Sequence, residues 1–468
     1  MCDTGRRGFL FATGAAALVA GAPQPVQAAI RAAAGDNALP RLPGEIQRRF
    51  DAAMAKAGVT GAAITVVRDG ELAAFYSHGR ASIPFDAPIT PSTLFQIGSV
   101  GKHVTALAIL QLVAAGKLGL HWPVGRAVAG LPDWIAAIPI RNLLSHTGGL
   151  PDYEAGFAWD RPFPLQSLLA ALKGPAFAPG EAWSYSNSGY VLLGYAIEAA
   201  SGLGYGAYVT ERLFKSASVP LARPDAAGEP IIGRAEPYEV VDGVVRHATR
   251  MDNTVSAMPD GGVLFSARDW APWVKALESH RLAPAPMLAE MFKAQTLRDG
   301  SSCGYGFGWI IDQVRGKPVH LHSGSVPGFG TFIQYHPAAR LMAVATFNSL
   351  PAGALRPLLE EAVETMAPGT TTIGLAARSQ SARRDARLQA FLAGATAADI
   401  VAPAVLIGER ASGRDPSKRL SAKPEAVEFL ERFETPGGDL SRYRITIGGA
   451  AQTRQVGWTA DDRIFLYR

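Results

Sequence analysis

The sequence predicts an α+β fold in which one antiparallel sheet is built from strands at both ends of a large domain. Two strand-like segments flank Arg68-Asp69-Gly70 near the start of that domain. Near its end, short connections join successive strand-like segments, which favours antiparallel pairing. These segments are YGFGWIIDQ, KPVHLHSG, GTFIQYHP and RLMAVATFN. Between them, residues from about 120 to 300 are mostly helical patches separated by Pro/Gly loops, which predicts a second, helical lobe.

The first elements of the domain are a helix, a hairpin and a second, buried helix. A helix from Leu42 to Gly58 is expected to end at its glycine, a residue common at helix ends. GAAITVVRDGELAAFYSHG then predicts a hairpin, because Asp-Gly is a strong turn signal between strands. The apolar run after Ser99 covers much of a helix circumference, which predicts a buried helix that ends near Gly116.

Two further helices complete the predicted domain. NSGYVLLGYAIEAASG predicts a long helix from Asn187 to Gly202, and Pro357 can begin a closing helix that runs to Met366. With 48% hydrophobic residues among 468, the chain can bury a sizeable core, although it is longer than one single-core domain usually is. We therefore predict that residues 29–366 form the main domain.

Residues 375–468 are richer in arginine and predict a small C-terminal α+β module. Its expected helices run from Ser379 to Phe391 and from Pro424 to Phe433. Its expected strands are YRITIG, TRQVGWT and RIFLYR. No catalytic constellation occurs in this module, and its role stays open.

Residues 1–28 are predicted to be an export signal. Arg6-Arg7 precede a short apolar stretch and then small residues, a pattern that resembles a twin-arginine signal cleaved near Ala28. The apolar stretch is shorter than the roughly 20 residues that a membrane-spanning helix needs. We expect an exported, periplasmic protein with no stable membrane span after signal removal.

The cysteine count and the charge distribution exclude other classes. Cys2 would leave with the signal, so Cys303 alone would remain, with no internal disulfide and no cysteine metal site. The net charge of +5 lies at the two ends of the chain, and the main domain is neutral. Without a basic patch interleaved with aromatic residues, a nucleic-acid partner is not expected. No cofactor is predicted.

Ser99 and Lys102 are the first candidate catalytic residues, because they form the only Ser-x-x-Lys in the chain. In a helix, residues three apart lie on one face. Serine needs a base to become a nucleophile, and a desolvated lysine can accept or relay its proton. The alternative is two polar residues at the end of a buried helix. Because an unpaired buried Lys102 would be costly, we expect a polar partner for it.

Tyr185 and Asn187 form the only Tyr-x-Asn in the chain, in a loop before the long helix. A tyrosine beside a lysine can act as acid or base, and an asparagine can hold the lysine and a substrate carbonyl at once. The alternative is an N-cap loop, in which Asn187 or Ser188 caps the helix and Tyr185 packs against its neighbours.

A third candidate segment is His322-Ser323-Gly324, on a predicted strand before a glycine-rich turn. Gly324 would let a substrate lie close to the backbone at the sheet edge. One alternative is a strand end with a satisfied histidine. Another is a metal site formed by His320 and His322, which share a face of the strand, but no third ligand has a suitable spacing.

Together, the three motifs and their flanks resemble the serine β-lactamase and penicillin-binding-protein family, whose signature is Ser-x-x-Lys, Ser-Asp-Asn and Lys-Thr-Gly. The sequence is similar to the branch with Tyr-x-Asn second, which contains class C β-lactamases, DD-peptidases, D-aminopeptidases and esterases. The resemblance runs from Leu42 to Met366 and implies a β-lactamase-like antiparallel sheet flanked by helices, plus a helical lobe. The similar flanks are FQIGSVGKHVTALAILQLVAAGKL, IRNLLSHTGGLPDY, PGEAWSYSNSGYVLLGYAIE and PDGGVLFSARDWAPWV.

The resemblance implies a role for each residue of the first two motifs. Ser99 would attack a carbonyl and form an acyl-enzyme that water then hydrolyses. Lys102 and Tyr185 would share general-base and general-acid duty, with the first proton acceptor undecided. Asn187 would position the substrate and the lysine.

In the third motif, the resemblance implies that the backbone N–H groups of Ser99 and Ser325 form an oxyanion hole. The segment His322-Ser323-Gly324 would bind substrate. Many relatives have lysine where this chain has His322, and that lysine helps receive a substrate carboxylate. Because a histidine is mostly neutral at pH 7, its pull on an anion would be weaker. A peptidase or esterase-like hydrolase is therefore favoured over a dedicated β-lactamase.

The implied function is an exported serine hydrolase that acts on an amide or ester, such as a D-alanyl peptide or a penicillin-like molecule. Its partner would be a small-molecule or peptide substrate, and the oligomeric state is not predicted. The alternatives are a class C-type β-lactamase and a catalytically silent penicillin- or peptide-binding module. An α/β-hydrolase is disfavoured, because GSSCG at 300–304 follows a helix and precedes a strand, the reverse of the order required.

Overall fold

The protein is described from a computed structural model, which covers residues 39–153, 164–225, 230–248, 259–350, 356–378, 381–418, 423–435 and 437–468. The predicted export signal, residues 1–28, lies outside the described residues. Among the helices within these ranges, none is long and apolar enough to cross a membrane.

The described residues contain runs of strands and runs of helices. The strands are β1 Gly61–Arg68, β2 Glu71–Ser82, β3 Ala87–Pro88, β4 Phe95–Gln96, β5 Arg223–Pro224, β6 Tyr238–Val241, β7 Val244–His247, β8 Val263–Phe265, β9 Ile310–Val314, β10 Lys317–Val326, β11 Phe329–His336, β12 Leu341–Phe347, β13 Ser349–Leu350, β14 Ala426–Thr435, β15 Gly438–Ile447, β16 Ala450–Trp458 and β17 Ile464–Tyr467. The helices are α1 Gly44–Ala57, α2 Lys102–Ala114, α3 Asp133–Ala136, α4 Ile140–Leu144, α5 Leu165–Ala171, α6 Asn187–Ser201, α7 Tyr205–Tyr208, α8 Lys215–Ala217, α9 Ala267–Glu278, α10 Ala285–Met291, α11 Arg356–Met366, α12 Ala382–Leu392 and α13 Pro403–Ala411, with a π-helical turn at Val209–Phe214.

The main sheet of the described residues has seven strands in the order β3-β2-β1-β12-β11-β10-β9. Its neighbouring strands pair antiparallel, and β1 pairs with both β2 and β12. The prediction that one sheet is built from both ends of the domain is therefore confirmed. The β1–β2 hairpin turns at Asp69 and Gly70, whose φ angles of 53° and 75° suit a tight hairpin turn.

Helices cover both faces of this sheet. On one face, α1 and α11 bury a cluster that contains Phe50, Met54 and Leu359. On the other face, the helical lobe builds a larger core around α2, α6 and α9. Each of the α2 residues from Lys102 to Leu110 is buried, as its all-round apolar sequence predicts.

The predicted main-domain helices are confirmed with small shifts at their ends. Helix α1 ends at Gly58 and α6 ends at Gly202, and both glycines adopt the left-handed conformation. The region from about 120 to 300, where the sequence indicated helical patches, also contains the short strands β5, β6, β7 and β8.

The C-terminal module, residues 375–468, contains a four-stranded antiparallel sheet in the order β14-β15-β16-β17. The predicted helix from Pro424 to Phe433 is wrong, because this segment lies in strand β14. Its Glu, Leu and Arg residues favour a helix locally, but pairing with β15 completes the sheet and buries Leu430. Helix α13 was not predicted.

A buried ion-pair network joins this module to edge strand β9 of the main sheet. The Arg442 guanidinium donates to the Asp312 carboxylate at 2.7 Å and to the Glu431 carboxylate at 2.9 Å. The Gln455 amide also donates to Asp312, at 2.7 Å. Arg442 holds the pKa of Asp312 below its usual value, against the opposing effect of burial. The module is thus fixed to the main sheet by charged groups that water does not reach.

Candidate active site

Ser99 lies in a tight turn of 3-10 helix, Gly98–Gly101, which leads directly into α2. Gly98 begins the turn at a φ of 53°, and a side chain there would lie 2.9 Å from the backbone nitrogen of Ser325. Glycine is therefore needed at this position for both its conformation and its size. The turn holds the half-buried Ser99 side chain at the start of a helix, facing strand β10.

Lys102 is fully buried, and its ammonium nitrogen connects the first two motifs. Nζ lies 3.2 Å from Ser99 Oγ, 2.6 Å from Asn187 Oδ1 and 2.7 Å from the carbonyl oxygen of Asp260. It also lies 4.9 Å from the centre of the Tyr185 ring. The four residues of the two motifs are therefore brought together, and the expected polar partners of the buried lysine are present.

Tyr185 points its hydroxyl into the same space from the loop before α6. Its ring packs on the His146 ring, with 4.2 Å between centroids. Among the described residues the Tyr185 hydroxyl makes no hydrogen bond. Burial raises the pKa of Tyr185 well above its usual value, and the nearby Ser99 hydroxyl opposes this shift in part. The side chain is therefore a neutral phenol at physiological pH.

The cap of α6 is Ser186, whose hydroxyl accepts a hydrogen bond from the backbone of Gly189 at 3.3 Å. The cap interpretation that named Asn187 or Ser188 is thus wrong by one or two residues. Because Ser186 caps the helix, the Asn187 side chain can face the site instead.

The Asn187 amide is oriented by contacts at both of its ends. Its oxygen accepts from Lys102, and its nitrogen donates to Asp152 Oδ2 at 3.2 Å. Burial raises the pKa of the Asp152 carboxyl, while hydrogen bonding from Asn187 and the Lys102 charge act in the opposite direction. The Asp152 carboxylate thus contacts the end of the Asn187 amide that does not bind Lys102.

Strand β10 forms the opposite wall of the site. A side chain on Gly324 would overlap the Ile97 carbonyl oxygen and lie 3.1 Å from the Ser99 backbone nitrogen. Only glycine lets the strand approach the serine turn this closely. Ser323 and Ser325 are exposed on the same strand, and the Ser325 backbone nitrogen lies against the turn at Gly98.

His322 is buried behind this wall and is neutral. Burial, with the Lys102 charge acting in the same direction, lowers its pKa to about 3. Its Nδ1 donates to the Ser323 carbonyl oxygen at 2.6 Å, so its Nε2 accepts from the Tyr305 hydroxyl at 2.9 Å. His320 packs on Phe292, with 4.5 Å between ring centroids. No group of three or more metal-binding side chains occurs within the described ranges.

Sequence reasoning did not find His146, Asp152 and Tyr305. His146 and Asp152 lie in IRNLLSHTGGLPDY, a flank that carried the resemblance but no assigned role. His146 accepts a hydrogen bond from the Ser186 backbone at 3.1 Å, so it also fixes the Tyr185 loop. Tyr305 lies in a segment without a local motif, and only the fold brings it to His322.

The chain is similar to proteins of known name in sequence and in structure. It is 29% identical over 293 residues to Penicillin-binding protein 4* of Bacillus subtilis (strain 168), covering 58% of this chain and 64% of that protein. It is 27% identical over 300 residues to a D-aminopeptidase of Brucella canis, covering 62% of this chain and 56% of that protein. The chain thus spans less than two thirds of the length of either relative.

Among solved structures, the chain is similar to the D-amino acid amidase from Ochrobactrum anthropi SV3 complexed with L-phenylalanine. The two share 26% sequence identity and a TM-score of 0.59, over 69% of this chain and 97% of that one. The sheet with helices on both faces, and a Ser-x-x-Lys turn against its β10 strand, define the class of β-lactamase and penicillin-binding-protein folds. The model of the Beta-lactamase family matches residues 46–364, and the chain belongs to that family.

Proposed function

We propose that the protein is an exported serine hydrolase that cleaves an amide or ester bond through an acyl-enzyme on Ser99. The observation that carries the proposal is the buried Lys102 Nζ, 3.2 Å from Ser99 Oγ and held by Asn187. Burying a lysine is costly, so its position beside a half-exposed serine supports a catalytic role. The relatives, which are hydrolases, support the reaction class.

The contacts of Lys102 favour it over Tyr185 as the first proton acceptor. In its amine form, Nζ has two hydrogens, which Asn187 Oδ1 and the Asp260 carbonyl accept. Its lone pair then faces the Ser99 hydroxyl and can take that proton as Oγ attacks the substrate carbonyl. Tyr185 is a neutral phenol, because burial raises its pKa well above the usual value, and this suits it to donate a proton instead.

Acylation and hydrolysis pass protons among Ser99, Lys102 and Tyr185. Attack by Oγ forms a carbon–oxygen bond, and the carbonyl oxygen becomes negative between the N–H groups of Ser99 and Ser325. The leaving amine or alcohol departs with a proton from Tyr185, which Lys102 replaces. Water then attacks the ester carbonyl carbon and loses a proton to the same pair. The pair returns a proton to Ser99 Oγ as the bond between Oγ and carbon breaks, so the acid is released and the serine hydroxyl is restored.

The neutral state of His322 indicates which class of substrate the site can bind. Because its pKa is lowered to about 3, His322 brings no positive charge to the wall where many relatives have lysine. A substrate whose turnover depends on a carboxylate beside the scissile bond, as that of a penicillin does, is therefore disfavoured, and penicillin serves as a probe that labels Ser99 rather than as the expected substrate. The names of two relatives, a D-aminopeptidase and a D-amino acid amidase, support amides or peptides of D-amino acids as substrates.

A substrate panel with adduct mapping tests this proposal. Hydrolysis would be measured on D- and L-alanine p-nitroanilide, D-alanyl-D-alanine peptides, p-nitrophenyl acetate and nitrocefin, with mass spectrometry after treatment with fluorescent penicillin. We expect turnover of an ester or D-amino acid amide and an adduct on Ser99. No turnover of any compound together with no adduct would overturn the proposal, and rapid nitrocefin turnover would favour a β-lactamase.

Export is a separate part of the proposal and rests on the pattern around Arg6 and Arg7. Fractionation of cells that express the full chain would compare it with a variant in which both arginines are lysine. We expect processing near Ala28 and periplasmic activity for the natural sequence, and retention of the variant inside the cell.

A further inference from the structure

Two loops position the tyrosines of the candidate site, and both contact the C-terminal module. Tyr185 follows Trp183-Ser184, and Tyr305 ends the turn Cys303-Gly304-Tyr305. The Tyr305 ring lies 4.8 Å from the His146 ring, which in turn supports Tyr185. A displacement of either loop would therefore reach the hydroxyls that face Ser99 and His322.

Helix α13 of the module packs directly on the first loop. A side chain on Gly408 would overlap the Trp183 carbonyl oxygen, so the helix and the loop are in direct contact. The hydroxyls of Ser412 and Ser184 are 2.9 Å apart, next to the Ser184 backbone N–H that donates to the His146 carbonyl at 3.0 Å. The module therefore contacts the residues on the N-terminal side of Tyr185.

Arg468 of the module binds the second loop. The guanidinium of the half-buried Arg468 donates to the carbonyl oxygens of Gly304 and Ile311 and to the Gln455 side chain. Gly304 has a φ of 67°, and a side chain on it would overlap this guanidinium. Tyr305, the next residue, is 1% exposed and shares a hydrophobic cluster with Ala404 of α13.

We propose that the C-terminal module is a positioning element of the active site, which holds the Trp183–Ser184 loop through α13 and the Cys303–Tyr305 turn through Arg468. The inference rests on the proposed function and gives the module the role that the sequence left open. Misplacing a catalytic group by about 1 Å can cost 100-fold in rate. Contacts two residues from Tyr185 and one residue from Tyr305 are close enough to control such a displacement.

The test uses matched substitutions in the full chain. Gly408→Ala adds one methyl group against the Trp183 carbonyl, and Gly174→Ala is its control, because nothing lies within 4 Å of that position. Arg468→Ala removes the guanidinium that binds the Gly304 carbonyl. Its control is Arg383→Ala, which replaces a side chain of the same module that is 61% exposed. Arg468→Lys retains donors that can reach the Gly304 carbonyl.

For each variant, kcat, KM and the pH–rate profile would be measured well below the midpoint of its thermal unfolding. We expect Gly408→Ala and Arg468→Ala to lower kcat by about 10- to 100-fold with KM little changed, and to shift the limb of the profile set by the Lys102–Tyr185 pair. Arg468→Lys should recover part of the loss, and both controls should resemble the parent. Ser412→Ala, which adds no atoms, repeats the test if either variant fails to fold.

The outcomes separate the two proposals. An active parent whose kcat and pH profile are unchanged by the module substitutions would overturn the positioning role and leave the serine-hydrolase proposal intact. A loss no greater than the unfolded fraction, or equal in the controls, would also overturn it. A parent that never acylates Ser99 would overturn both.

Discussion

Two buried cations, Lys102 and Arg442, show how differently the two halves of this molecule use charge. Lys102 is 0% exposed, and Nζ hydrogen-bonds to a hydroxyl, an amide oxygen and a peptide carbonyl. Arg442 is 3% exposed, and its guanidinium bridges the carboxylates of Asp312 and Glu431. The first cation lies beside a serine that solvent can reach, and the second lies between two packed sheets.

The partners of each cation determine whether it can exchange a proton. A guanidinium between two carboxylates is tied to its charged form, so it links the module to β9 but cannot exchange a proton. An amine held by uncharged acceptors can lose a proton without leaving a carboxylate unpaired at a hydrogen bond. Removing Lys102 should therefore cost activity, whereas removing Arg442 should cost stability.

The largest effect is expected at Ser99. Ser99→Ala should lower kcat by at least about 1,000-fold and abolish the penicillin adduct, because no other group can form the acyl-enzyme. The thermal midpoint should stay within about 2 °C of the parent, since only a half-exposed hydroxyl is lost. Ser279→Ala, remote from the site, is the control. Residual acylation of the Ser99→Ala protein would contradict the assigned nucleophile.

Replacing each cation by methionine tests the comparison directly. Lys102→Met should lower kcat by about 100- to 10,000-fold while the free energy of unfolding changes little, because a costly buried charge is removed together with its contacts. Arg442→Met should lower the free energy of unfolding by about 3–5 kcal/mol, since it leaves Asp312 and Glu431 buried without their cation.

Urea unfolding and steady-state kinetics on both methionine variants provide the measurement. The folded fraction of Arg442→Met should keep kcat within about tenfold of the parent, because its partners do not touch substrate. If Lys102→Met were the less stable protein and Arg442→Met the less active one, the division between the two regions would be wrong.

The candidate site was predictable to the extent that its residues lie in short motifs. Ser99 and Lys102 are one helical turn apart, so local geometry alone brings them together. Their meeting with Tyr185, Asn187 and Gly324 followed from the resemblance. Asp152 was not found, because its contact with Asn187 depends on how two distant loops pack.

The module was less predictable because long-range pairing determines its structure. Segment Pro424–Phe433 carries residues that favour a helix, yet it forms β14 because β15 offers a pairing edge. Arg442 and Arg468 look like ordinary surface arginines in the sequence, and nothing local indicates that Arg442 is buried or that Arg468 binds the Gly304 carbonyl. The charges that join two parts of a fold are visible only once the partner surfaces are placed.

The surroundings of Lys102 and of Arg442 are also expected to differ in how their contribution to the free energy of unfolding depends on pH. Burial lowers the pKa of His322 to about 3 and that of His103 to about 4, on the Lys102 side of the molecule. Unfolding lets each histidine bind a proton below pH 6.5, so their stabilising effect is complete above pH 6.5 and is lost as the pH falls toward 4 and 3. Asp312, whose pKa is lowered, keeps its contribution until the pH falls below 3.8.

The free energy of unfolding in urea should therefore be lower at pH 4.5 than at pH 7.5 because of the histidines, whereas the contribution of the Arg442 network should be the same at both pH values. His322→Gln should reduce the loss of unfolding free energy between these pH values by about 2 kcal/mol. The effect of Arg442→Met should be the same at both. A pH dependence unchanged by His322→Gln would contradict a neutral His322 in the folded protein.

The smallest effect is expected at Asp152, which accepts a hydrogen bond from Asn187 and does not contact Ser99. Asp152→Ala removes the acceptor that fixes the Asn187 amide, which can then rotate and present its nitrogen to Lys102. The loss of one such hydrogen bond is worth about 1 kcal/mol, so kcat should fall roughly fivefold to tenfold with KM nearly unchanged. Asp152→Asn keeps an acceptor and should restore most of the rate. Equal losses in both variants would instead assign the effect to the Asp152 charge, and would mean that Lys102 depends on a carboxylate as Arg442 does.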